Sequence, residues 1–130
     1  MFATVFLLLY VGHLLADYPF QTDHQAAHKA EPGAEGWRAS LDHAGTHIAT
    51  CAITLLTGMV LLDLSVPTWS AFAALAWIGG THAFIDRRWP VRWWMSRFGQ
   101  AAWAANGGAA HVDQAAHITA LALAALALAA

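Results

Sequence analysis

The chain has 130 residues, 58% of them hydrophobic and 11% charged, with a formal net charge of -2. That apolar excess is foreign to a soluble domain of this size, so a membrane setting is expected, and the six basic residues form no long patch that would suit a nucleic acid. The single cysteine, Cys51, excludes an intrachain disulfide and any cysteine-based zinc site.

Residues 2–18 are apolar except at their C-terminal end and are just long enough to cross a hydrocarbon core of ~30 Å at ~1.5 Å per residue. This stretch lacks a basic leader and a small-residue cleavage site, so it is expected to remain in the mature protein as helix one. Pro19 ends it, and residues 21–39 read as a polar loop with a turn at Pro32-Gly33 and room for a short helix around His24 and His28. Helix two is expected over residues 41–62 with Ser40 as its N-cap, followed by a turn over Asp63 to Pro67. Helix three is expected over 69–85. Residues 87–105 mix Arg92 and Arg97 with Trp93, Trp94, Phe98 and Trp103, a composition that suits a segment lying along a membrane surface. Asn106-Gly107-Gly108 breaks that segment, and residues 111–130 form the last apolar helix.

The expected architecture is therefore all-α: one transmembrane domain over residues 1–130, built as a four-helix up-down bundle with an interfacial amphipathic segment between helices three and four. Lys29 and Arg38 lie between helices one and two, and Arg87, Arg88, Arg92 and Arg97 between helices three and four, while the remaining connection carries no basic residue. The positive-inside rule makes the basic side cytoplasmic and puts both termini outside.

Each of the four helices carries a polar pair spaced i, i+4: His13 with Asp17, His43 with His47, His82 with Asp86, and Asp113 with His117. That spacing stacks two side chains on one helix face. The pairs sit at the C-terminal ends of helices one and three and the N-terminal ends of helices two and four, which an up-down bundle gathers at its basic end. An Asp at membrane depth costs ~2.5–3.5 kcal/mol on insertion scales, so such groups face the bundle interior and serve a function. Imidazole and carboxylate together suit a divalent metal, zinc first, with iron or manganese as alternatives. Five His and three Asp exceed the needs of one tetrahedral ion, so two ions with a bridging carboxylate are also accommodated. Gln21 and Gln114 are candidates to steady a ligand or touch a substrate, and His111 to ligate or shuttle a proton, although a lone His in an apolar helix is more often a packing residue. Arg87 and Arg88, next to Asp86, are placed to hold an anionic substrate or to contact headgroups.

The run Gly12-His13-Leu14-Leu15-Ala16-Asp17-Tyr18-Pro19-Phe20-Gln21, the His43-x3-His47 pair, His82-Ala83-Phe84-Ile85-Asp86 and Asp113-Gln114-x2-His117 resemble the bacterial and phage membrane family called domain of unknown function 3307, over nearly the whole chain. Arg87-Arg88 stands where a lysine often follows the His-x3-Asp motif. More loosely, the layout is similar to small membrane-bound metal-dependent hydrolases.

The leading expectation is a metal-dependent hydrolase acting on a lipid-like or phosphoester substrate at the cytoplasmic interface. Its metal layer is His13, Asp17, His43, His47, His82, Asp86, Asp113 and His117, with one of Asp17, Asp86 or Asp113 serving as general base. Two rivals stand beside it: a metal or proton transport protein, and a non-catalytic membrane factor with a structural metal. The oligomeric state, a homo-oligomer included, is left open.

Overall fold

A computed structural model describes residues 1–130, all helix and connection with no strand. The long helices are α1 (Phe2–Asp17), α3 (Gly33–Leu61), α4 (Thr68–Ile85) and α7 (Ala109–Ala129), and the short ones are α2 (Asp23–His28), α5 (Trp89–Arg97) and α6 (Ala101–Trp103). A π-helical bridge, Ala104–Gly108, links α6 to α7.

In the bundle, α1 packs on α3 and α7, and α4 packs on the same two. One end is filled by apolar side chains from all four long helices, among them Leu9, Cys51, Leu55, Ile78 and Leu121. Small residues set the close approaches: a Cβ on Gly12 would lie 2.8 Å from the Cys51 Cα, so only glycine lets α1 reach α3 there. Trp77 Nε1 donates to the Ala120 carbonyl at 3.0 Å and ties α4 to α7.

The outer faces are apolar too. Leu7, Leu56, Val60, Trp69 and Phe72 are all well exposed, an arrangement unsuited to water but suited to lipid. Two stretches, Gly33–Leu61 and Ala101–Ala129, each of 29 residues, are long and apolar enough to cross a membrane. The expectation of four such helices is thus met by two on length and composition. At 16 residues α1 reaches only ~24 Å, and Trp, Thr and His dilute the apolar character of α4.

The structure moves one boundary substantially. The second long helix begins at Gly33 and not near residue 41: Pro32 holds the extended N-cap conformation, Gly33 turns the chain at φ +83°, and the helix runs on through Glu35 and Arg38. Ser40 is consequently no cap: it is buried in mid-helix and its Oγ donates to the Ala83 carbonyl of α4 at 3.3 Å. The polar loop ahead of it does contain the short helix, α2, closed by a capping box in which Thr22 and Gln25 satisfy each other's backbone N–H groups. The surface segment is likewise divided. α5 ends at Arg97, Gly99 turns the chain just beyond it at φ +71°, and Gly107, at φ +94°, kinks the chain into α7. α5 itself packs Val91 and Met95 against Ile85 and α7, leaving Trp89, Trp93, Trp94 and Phe98 exposed.

Candidate metal centre

The C-terminal ends of α1 and α4 meet the N-terminal halves of α3 and α7, so the four i, i+4 pairs converge. His13, His43, His47, His82, Asp86 and His117 are all buried. Asp17 is 9% exposed at its side chain and Asp113 25%, which places Asp113 at the rim.

Asp17 is the hub. Its Oδ1 lies 3.1 Å from His47 Nε2, 3.3 Å from His43 Nε2 and 3.9 Å from His82 Nε2. The His43 and His47 Nε2 atoms are themselves 3.3 Å apart. Three donor atoms therefore form a nearly equilateral triangle with sides of 3.1–3.3 Å. Tetrahedral ligation at ~2.0–2.1 Å puts neighbouring ligand atoms about 3.3–3.4 Å apart, so these three side chains match one face of such a site. The other carboxylate oxygen, Asp17 Oδ2, accepts from Gln114 Nε2 at 3.2 Å and faces His13 Nε2 at the same distance. His13 also lies 3.4 Å from Gln114 Oε1 and 3.3 Å from His47 Nδ1. It holds Asp17 and His47 in place and stands outside the groups whose donor atoms all lie within 4.8 Å of one another.

Those groups are Asp17, His43, His47 and His82, and, beside them, His82, Asp86 and His117. In the second, Asp86 Oδ2 is 3.1 Å from His82 Nε2, and Asp86 Oδ1 is 3.5 Å from His117 Nε2. Asp113 reaches only His117, at 3.4 Å. His82 belongs to both groups. Buried His82 Nε2 has no hydrogen-bond partner of acceptable geometry, and Asp86 Oδ2, likewise without a hydrogen bond, is ion-paired with Lys29 Nζ at 3.0 Å. A buried polar atom without a partner is rare and calls for an explanation, and for His82 Nε2 a shared cation supplies one. These buried His and Asp groups can hold a metal.

The remaining candidates separate clearly. Gln21 reaches the layer, with Nε2 3.2 Å from His43 Nε2. His111 does not: it is exposed and stacks over Trp103 at 6.3 Å. Arg87 does not either, because its guanidinium donates to the carbonyls of Lys29, at 2.8 Å, and of Glu31, and lies over the Trp37 ring. It staples the α2–α3 connection to the end of α4. Arg88 is exposed and turns the other way, into a cleft of about 480 Å³ that also includes Gln21, Lys29, Asp86, Arg92 and Asp113. The residue sequence reasoning missed is Lys29, whose Nζ sits 3.0 Å from Asp86 Oδ2. It was visible only as a loop cation, and nothing in its spacing ties it to the His-Asp pairs. His24 and His28 group with Glu35 on the outer surface, away from this layer.

The family model described as "Protein of unknown function (DUF3307)" matches residues 5–130. The chain belongs to this family. The DUF3307 match takes in every member of the polar layer, from His13 to His117, and with it all four motifs on which the resemblance stood. No curated protein and no solved structure matches the chain, so the looser likeness to metal-dependent hydrolases has no counterpart among these comparisons.

Proposed function

We propose that this is an integral membrane metalloprotein, a metal-dependent hydrolase acting on a lipid-like or phosphoester substrate where the bundle meets the cytoplasm. The observation that carries the metal is the triangle of Asp17 Oδ1, His43 Nε2 and His47 Nε2, with sides of 3.1–3.3 Å and buried among apolar helices.

Zinc suits the donor set, since imidazole and carboxylate are its ordinary ligands and no thiolate is available. One His82 Nε2 serves one ion. With two ions bound, Asp17, His43 and His47 would hold one and His82, Asp86 and His117 the other, three protein ligands each. Three-ligand sites keep a position for water, which is the feature that separates catalytic from closed structural zinc. Bound metal would lower the pKa of that water and polarise a phosphoryl or carbonyl oxygen. Asp113, at the rim and against His117, is the carboxylate best placed to take the proton, while Asp17 and Asp86 are enclosed as ligands.

The membrane reading draws on the apolar outer faces and on the two long helices. In it α1 and α4 cross as well, shorter and helped by interfacial flanks, and the end carrying Lys29, Arg88 and Arg92 is cytoplasmic. Transport is disfavoured by the polar layer's position, because the opposite half of the bundle is filled by Leu9, Leu55, Ile78 and Leu121.

The test is turnover by zinc-loaded protein in detergent, using p-nitrophenyl phosphate, bis(p-nitrophenyl) phosphate and short-chain phosphatidic acid as probes. Hydrolysis of at least one, lost on chelation and in Asp17→Asn, is the expected result. Metal-loaded protein that cleaves none of them, yet passes zinc into liposomes, would overturn the hydrolase in favour of transport.

A further inference from the structure

The cleft above the polar layer has an unusual charge pattern. It is about 480 Å³ in volume and runs between the α1–α2 connection, the end of α4, α5 and the start of α7. Three cations, Lys29, Arg88 and Arg92, and two carboxylates, Asp86 and Asp113, line it. Both carboxylates already have partners, since Asp86 Oδ2 takes Lys29 Nζ at 3.0 Å and Asp113 Oδ2 faces His117 Nε2 at 3.4 Å. The guanidinium groups of Arg88 and Arg92 form no ion pair and no hydrogen bond within the chain. One sits at the N-cap of α5 and the other a turn into the helix, and both line this cleft.

Arg88 is held there against a local preference. Its φ is +61°, in the left-handed region that a residue with a Cβ adopts at a cost, and such strain concentrates where a side chain's direction matters. Two unpaired, exposed guanidinium forks over a cleft that ends on metal-ligating side chains are suited to one chemistry, the bidentate recognition of phosphate oxygens. The same helix exposes Trp89, Trp93 and Trp94, and Phe98 follows at its C-cap, the rings that favour headgroup depth in a bilayer.

We propose that this cleft is a phosphate-binding subsite in which Arg88 and Arg92 hold a phosphate group with its scissile side facing Asp86 and Asp113. As the substrate-recognition part of the hydrolase site it rests on the proposed function, though its recognition chemistry belongs to α5 alone. Arg92 thereby takes the place that sequence reasoning gave to Arg87, whose guanidinium is engaged elsewhere.

The experiment is equilibrium binding of two probes, inorganic phosphate and short-chain phosphatidic acid, to the full chain in detergent, with and without zinc, alongside its metal content. Arg88→Gln and Arg92→Gln are exposed positions, and Arg97→Gln, on the same helix but outside the cleft, is the control. Each cleft variant is expected to weaken binding roughly tenfold or more, the loss of a charge-assisted hydrogen bond, with metal content and the Arg97→Gln result unchanged. Tighter binding of phosphatidic acid identifies a lipid as the source of the phosphate, and equal binding identifies a free phosphoester. Absence of binding for both probes, or equal weakening by Arg97→Gln, would overturn the subsite. Binding that depends on Arg88 and Arg92 in a protein holding no metal would leave the subsite standing and remove the hydrolase.

Discussion

Asp17 gathers more of the site than any other side chain, with three imidazoles from α3 and α4 around Oδ1 and the Gln114 amide on Oδ2. Asp17→Asn should therefore abolish metal binding, whereas Gln114→Leu, which leaves every ligand in place but frees the carboxylate, should weaken it about 10–100-fold; competition with a chromophoric chelator measures both. His111→Ala should leave the affinity unchanged, its ring lying over Trp103 and away from the layer. The ligands were legible in the sequence because i, i+4 spacing on an apolar helix announces a shared face. Lys29 and Arg92 were not, since they arrive from a loop and from a separate surface helix, and no periodicity relates them to Asp86. Arg87 and Arg88 were read as equivalent neighbours, but a left-handed backbone at Arg88 sends the two side chains in different directions.

Helix contacts decide whether the pairs meet at all. At Gly12 the close neighbour is the Cys51 backbone, which cannot swing aside, and Gly12→Val should destabilise the protein by about 1–3 kcal/mol through forced separation of α1 and α3. Guanidinium chloride unfolding in detergent reads this, and the variant should also lose metal, because His13 and Asp17 lie within five residues of the contact. Buried Arg87 is the second fastening. Removing its bonds to the Lys29 and Glu31 carbonyls in Arg87→Met should cost about 2–3 kcal/mol and release Lys29 from Asp86. The helices themselves were legible as apolar runs, with α4 displaced by a single residue at its start. The beginning of α3 was not, because polar Glu35 and Arg38 obscured a helix that simply extends beyond its apolar part. The Asn106-Gly107-Gly108 break was correctly located yet proved to be a kink joining two helical stretches, since only Gly107 leaves helical geometry far enough to reverse φ.

Taken whole, the molecule has an apolar half, a polar layer and a cationic, aromatic rim, an order that fits insertion with the rim at one membrane surface. In a Cys51→Ala background, Ser65→Cys in the α3–α4 connection should react with an impermeant thiol reagent added to intact cells, and Glu35→Cys should react only after lysis. The up-down order was legible from which helix ends carry the polar pairs, and the helices do bring those ends together; that only two helices are long and apolar enough to cross a membrane was not, because α1 is short and α4 is diluted by Trp and Thr. The claim on which the rest depends is that the buried His and Asp layer holds metal. Elemental analysis of the detergent-purified full chain tests it most directly, with His43→Ala/His47→Ala prepared in parallel. The expected result is at least about one divalent ion per chain, with that ion lost from the double variant. Wild-type protein with well under one equivalent, or a double variant with undiminished metal, would contradict it.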